Sequence, residues 1–239
     1  MNKYKAILFD MDGTLLPMEY STFFKGYFKL ILGALVPING DDPKVLYEGF
    51  MKGIRAMDAA DGTRSNKETF WNVFGQYING NVEEYIPVAD AFYYNGFEKM
   101  RECVGENPLA VTAVELARAH GRKVVLATNP VFPRHAQVAR ATWVGLSEND
   151  FDLITDYDSD SRTKPQKEYY LSICERIGVR PEECLMIGND ESDDMMGASA
   201  VGMDCFLVTD YLITCDTYKW EGERGTFEQL INKLTALNA

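Results

Sequence analysis

Two carboxylates one residue apart, Asp10 and Asp12, end an apolar run from Ala6 to Phe9 and are followed by Gly13 and Thr14. Like charges held this close raise at least one pKa unless something positive lies between them. A divalent cation is the natural third member of such a group. Gly13 lets the backbone approach whatever is bound there. Alone, Asp-x-Asp-Gly also describes a solvated turn after a strand, so the rest of the chain has to decide. Three further signals follow in order: Thr128-Asn129, then Thr163-Lys164-Pro165, then Gly188-Asn189-Asp190 with Asp194 four residues on.

These residues need elements to position them. Ala6–Phe9 is short, continuously apolar and bounded by a turn signal, the pattern of a strand buried on both faces. Lys123–Ala127, a short stretch around Phe151–Ile154, Cys184–Ile187 and Cys205–Val208 as the last strand repeat that pattern. Helices are expected between them. One is capped by Asn107 with Pro108 at its first position and stops at Gly121; others span Arg134–Thr142, run from just after Pro165 to Gly178, and pass through Met195-Met196 to Ala200. Phe227, Leu230, Ile231 and Leu234 give Thr226–Leu237 a helical apolar face. Strands alternating with helices predict an α/β fold, a parallel sheet covered on both sides. Ligands bind such sheets beyond the carboxyl ends of the strands. Asp10, Asp12, Thr128 and Asp190 each follow a predicted strand and should converge there.

Between about Pro17 and Val104 no buried-strand pattern recurs. Aromatic residues and methionine dominate, with helices expected over Met18–Leu35, Pro43–Met57 and Lys67–Asn79, and a seam at Ile86-Pro87 and Gly105–Pro108 leading back out. The expected organisation is a core of residues 1–16 and 105–239 interrupted by an all-helical insertion, 17–104.

With these four motifs in this order, the chain resembles the haloacid dehalogenase-like hydrolases over Lys3–Thr14 and Asn107–Thr209. The insertion matches that family's helical cap in position and composition. The resemblance implies a Rossmann-like, doubly wound parallel sheet and phosphoryl transfer, which needs an in-line nucleophile, a proton donor and positive charge around the phosphoryl oxygens. It assigns Asp10 as a nucleophile forming an aspartyl-phosphate and Asp12 as general acid and then base. It also implies that Thr128, Asn129 and Lys164 hold the phosphate. The implied cofactor is Mg²⁺, on the Asp10 and Asp190 carboxylates and the Asp12 backbone carbonyl, with Asp194 in support. Dehalogenases of the family lack an aspartate at the position of Asp12, so the phosphotransferase branch is the nearer one. A phosphatase of a small phosphorylated metabolite is the leading expectation. A sugar phosphomutase shares every core residue, and a non-catalytic interaction protein would have no use for the acid set.

Plainer readings stand beside these. Thr128 could cap the turn at Asn129-Pro130, Lys164 could be a solvated lysine, and Asp193 and Asp194 could be helix N-terminal acids. Asp156–Asp160 alternates acids like a calcium loop, but Ser161 and Lys167 stand where such a loop needs glycine and glutamate; it reads as a solvated loop leading to Lys164. Lys52 with Arg55, Arg64 with Lys67, and Tyr93 with Tyr94 are candidates to face substrate. Exposed charges and core aromatics explain them better, and they stay outside the expected site.

Of the 239 residues 46% are hydrophobic, enough for a real core. A net charge of −12 argues against a general nucleic-acid or membrane-surface binder. The N-terminus runs straight into a strand with no leader pattern. Five cysteines without C-x-x-C spacing read as reduced thiols of a cytoplasmic protein. The oligomeric state is not written in the sequence.

Overall fold

The computed structural model describes residues 3–239; residues 1 and 2, counted above with the core, lie outside the described residues. A parallel six-stranded sheet in the order β3-β2-β1-β4-β5-β6 forms the centre. Its strands are β1 (Ala6–Phe9), β2 (Lys123–Leu126), β3 (Leu153–Ile154), β4 (Cys184–Gly188), β5 (Asp204–Val208) and β6 (Arg224–Gly225). β1, β4 and all of β2 but Lys123 are buried throughout, as their unbroken apolar runs require. β6, unforeseen after Cys205–Val208, is a two-residue edge strand too short to carry a periodic signal.

Alternation of side chains sends Ile7 and Phe9 to one face of the sheet, Ala6 and Leu8 to the other. The first face packs on α5 (Ala110–Arg118), α6 (Arg134–Trp143) and α9 (Phe227–Ala236). The second packs on α7 (Lys167–Ile177) and on α8 (Gly197–Ser199), which continues a π-helical turn over Glu191–Met196. α5 begins later than expected: Asn107 forms a turn, accepting from Leu109 N–H at 3.1 Å, and the helix starts at Ala110. Gly178 ends α7 in the left-handed conformation with φ 68°, as its position predicts.

Between β1 and β2 lie α1 (Tyr20–Leu35), α2 (Pro43–Asp58), α3 (Asn66–Phe74), α4 (Val82–Asn95) and a 3₁₀ segment, Phe97–Cys103. Ser65 caps α3 in a reciprocal capping box with Glu68. α4 corrects the sequence reading, which placed an exit seam at Ile86-Pro87. Pro87 lies near the start of this helix, where it forfeits one backbone bond, and burial of Tyr85, Ala89, Phe92 and Tyr93 outweighs that loss. The two ends of the helical segment meet at Met18 and Val104, which form an antiparallel bridge, and Gly105 N–H donates to Pro17 O at 2.8 Å. Among the described residues no helix is long and apolar enough to cross a membrane. All five cysteines are free, with Cys174, Cys184 and Cys205 buried.

Candidate active site

β1 ends level with its neighbours: Phe9 pairs with Leu126 on one side and Ile187 on the other. Asp10 N–H donates to Ile187 O and Ala127 N–H to Phe9 O, each at 2.8 Å. The residues just past three strands therefore meet where the strand order changes direction, the position at which α/β sheets bind ligands. Asp10, Asp12, Thr128, Asn129, Lys164, Asp190 and Asp194, the whole expected set, line one cavity of about 310 Å³.

The turn after β1 is closely built. Met11 O accepts from Thr14 N–H and Leu16 N–H at 3.2 and 2.9 Å. Gly13 has φ 83°, and a Cβ there would lie 2.3 Å from Asn189 Nδ2, so only glycine fits. Asn189 in turn accepts from Thr14 Oγ1 at 3.2 Å and donates to Tyr211 O at 2.6 Å.

Lys164 reaches this edge from the loop before α7, its side chain 1% exposed. Nζ donates to Asp10 Oδ1 at 2.7 Å and to Asp194 Oδ1 at 2.6 Å. Burial alone would push the ammonium's pKa down, but the charges of Asp10 and Asp194 overrule it and hold it well above the lysine range. The second oxygen of Asp194 accepts from Asp190 N–H at 3.0 Å, and a Cβ on Gly188 would overlap that carboxylate. Asp194 is thus occupied by Lys164 and the turn after β4. Thr128 is fixed through its carbonyl, which accepts from Thr155 Oγ1 at 2.6 Å and Tyr169 Oη at 2.9 Å.

The loop leading to Lys164 is solvated only in part: Asp158 and Ser159 are exposed, while its other acids are buried. Asp156 and Asp160 are both 4% exposed, because Asp156 accepts from Ser159 N–H and Oγ while Asp160 pairs with Arg176 at 2.8 Å. These bonds satisfy both acids, so the loop packs inward and anchors Lys164.

Asp12 has a partner the sequence did not disclose. Arg140, wholly buried on α6, donates through Nη1 to Asp12 Oδ2 and through Nη2 to Gln137 Oε1. Its guanidinium also lies 4.7 Å from the centre of the Phe132 ring. Among the described residues, Asp12 Oδ1 is buried without a partner. Burial raises the Asp12 pKa and Arg140 opposes the rise; the Asp10 charge adds to it, leaving the carboxyl above its ordinary value. Gln137 and Arg140, three apart on a helix with Ala136 and Ala141 beside them, are the signal that could have found this pair.

Among the described residues, no three acidic, histidine or cysteine side chains are gathered tightly enough to make a ready-built metal site. The donor set still suits Mg²⁺, which prefers oxygen, takes one or two carboxylates and keeps several waters. Asp10 and Asp190 face the same cavity, and among the described residues neither Asp10 Oδ2 nor Asp190 Oδ2 takes a hydrogen bond. Asp193, between these charges, is pushed up to about 6 by burial and by Asp190.

The side chains named as candidates to face substrate lie elsewhere. Arg64 and Lys67 line a separate hollow beside Trp71, and Lys67 pairs with Asp158 at 2.9 Å. Tyr93 is buried against Tyr27, their hydroxyls 2.5 Å apart, while Tyr94 lies on His135. Lys52 and Arg55 are exposed on α2 and absent from both cavities at the site.

A family model described as haloacid dehalogenase-like hydrolase matches residues 4–202. The chain is 26% identical over 212 residues to a glyceraldehyde 3-phosphate phosphatase of Methanothermobacter thermautotrophicus, covering 87% of each chain. To a fructose-1-phosphate phosphatase of Escherichia coli it is 25% identical over 205 residues, 84% of this chain and 95% of that one. Among solved structures, the 2-haloacid dehalogenase of Pseudomonas syringae pv. Tomato superposes with a TM-score of 0.66 over 99% of this chain and 100% of that chain, at 17% identity.

Proposed function

The chain belongs to the haloacid dehalogenase-like hydrolases, and on that premise we propose that it is a Mg²⁺-dependent phosphatase of a small phosphate monoester, working through an aspartyl-phosphate. The observation that carries this reading is the buried Lys164 ammonium between Asp10 and Asp194, in the cavity that Asp12 also faces. A lone acid pair would suit many ions; an acid pair with a buried cation beside it suits a phosphoryl group.

In the first step a carboxylate oxygen of Asp10 bonds to phosphorus while the bond from phosphorus to the alcohol oxygen breaks. Asp12 gives its proton to that departing oxygen, and its burial favours the protonated form that this step uses. In the second step water attacks phosphorus, Asp12 takes the proton back, and the bond to Asp10 breaks to release inorganic phosphate. Lys164 and Thr128 hold the phosphoryl oxygens throughout. Mg²⁺, when bound by Asp10, Asp190 and the Asp12 carbonyl, supplies charge neutralisation that lets one carboxylate approach a dianion. Arg140 holds the carboxyl of Asp12 through Oδ2 and so fixes the group that handles the proton. Residues 17–104 act as a cap over a core formed by the rest.

Phosphate release from a panel of phosphate monoesters tests this directly. Release that needs Mg²⁺ and disappears in Asp10→Asn is expected; release that survives Asp10→Asn would remove Asp10 from the mechanism.

A further inference from the structure

A second cavity of about 540 Å³ opens beside the acids, sharing Tyr20, Asn129, Lys164 and Asp193 with the first. A phosphoryl group at Lys164 would place its alcohol there. Two helix faces form its walls. α1 presents Tyr20, Phe24 and Phe28, each one turn from the next, on a different side from Phe23, Tyr27, Ile31 and Leu35, which fill the core. α2 presents Tyr47, Met51 and Ile54. Val131 and Pro165 close the far side.

These faces are only partly covered: Phe24 and Phe28 pack in part against the core, while Tyr20 on α1 stays 53% and Tyr47 on α2 43% exposed. Exposed aromatic rings around a hollow of ligand size, beside convergent polar groups, are what a binding site for a flat apolar body needs. Phe28 and Tyr47 already stand edge to face at 4.9 Å across the two helices.

Charge argues against an anionic alcohol. Lys164 is the cavity's one cationic side chain among the described residues, and Asp10 and Asp194 hold it. The remaining charged groups in the lining, Asp58 and Asp193, are acids. A carboxylate or second phosphate on the alcohol would lose its water shell and meet like charge.

Resting on the phosphatase reading, we propose that the substrate is the phosphate ester of an apolar, ring-bearing alcohol without a second anionic group. The aromatic cavity between α1 and α2 receives that ring.

The test compares esters of similar intrinsic reactivity: benzyl phosphate and 2-phenylethyl phosphate against ethyl phosphate, glycerol 3-phosphate and phosphoglycolate, with Mg²⁺. Ring burial should favour the first two by roughly 10- to 100-fold in kcat/KM over ethyl phosphate, with phosphoglycolate the poorest. Phe28→Ala should shrink the benzyl-to-ethyl ratio, and Met51→Arg should shift preference toward phosphoglycolate. Should these variants fail to fold, inhibition of the unaltered protein decides: benzylphosphonate should inhibit more tightly than phosphonoacetate. Asp10-dependent release that is equal or better from phosphoglycolate or glycerol 3-phosphate overturns this inference and leaves the phosphatase reading standing. No Asp10-dependent release from any ester overturns both.

Discussion

Replacing Arg140 with methionine tests whether Asp12, the carboxylate proposed to handle the proton, is positioned from behind. The Arg140 side chain is wholly buried and that of Asp12 16% exposed. Methionine keeps much of the volume, but removing one partner of a buried pair leaves Asp12 Oδ2 and Gln137 Oε1 without their donor, a loss of about 3–5 kcal/mol of stability. What goes is the bond that fixes Asp12 through Oδ2. General acid–base catalysis contributes about 10²–10⁴-fold, and a misplacement of about 1 Å costs on the order of 10²-fold. A fall of about 100-fold in kcat is therefore expected with an alkyl phosphate, about 2.7 kcal/mol at 1.36 kcal/mol per decade. With p-nitrophenyl phosphate the leaving phenolate needs no proton, and the fall should stay under about tenfold. Arg140→Lys should recover part of the loss. On an Asp12→Asn background the Arg140 substitution should add almost nothing, since the two act as one unit. The assay is steady-state kinetics on both esters with thermal unfolding as a control. Equal losses on both esters in a stably folded variant would refute the reasoning, and so would full additivity with Asp12→Asn.

Two further predictions concern stability. Asp41, 4% exposed, accepts from Asn79 N–H at 3.0 Å, Asn79 Nδ2 at 2.6 Å and Tyr85 Oη. Asp41→Ala strands these donors and should cost about 2–3 kcal/mol in urea unfolding; a change below about 0.5 kcal/mol would contradict it. Asp152 is pushed up by burial but pulled down further by Lys123, by Val124 N–H and by Arg118, so it titrates below its ordinary range in the folded state. A folded pKa below the unfolded one gives stability that is full above about pH 4 and lost as pH falls through the folded value. Asp152→Asn should thus be about 1 kcal/mol less stable at pH 7, allowing for solvent screening, and the gap should close in acid; a constant gap would contradict the assignment.

The sheet and the convergence of its polar ends were legible because each rests on a local signal. Ala6–Phe9, Lys123–Leu126 and Cys184–Ile187 are apolar runs that stop at a polar residue, and parallel pairing then brings Asp10, Thr128 and Asp190 to one edge. Arg140 was not legible, since an arginine on a helix defaults to solvent and only the tertiary position of Asp12 gives it a reason to be buried. The Asp156–Asp160 loop misled for the same reason: its acids are satisfied by partners the local sequence does not display. α4 was missed because Pro87 speaks locally against a helix, whereas the burial that offsets it is tertiary. On α2, charge drew attention to Lys52 and Arg55, while the neighbouring face carrying Tyr47, Met51 and Ile54 lines the cavity.

The most direct measurement is ¹⁹F NMR of the protein with beryllofluoride, a mimic of the phosphoryl group on an aspartate. A bound resonance should form only with Mg²⁺, persist in Asp12→Asn and vanish in Asp10→Asn. A resonance that forms without Mg²⁺, or that Asp10→Asn retains, would contradict the account at its centre.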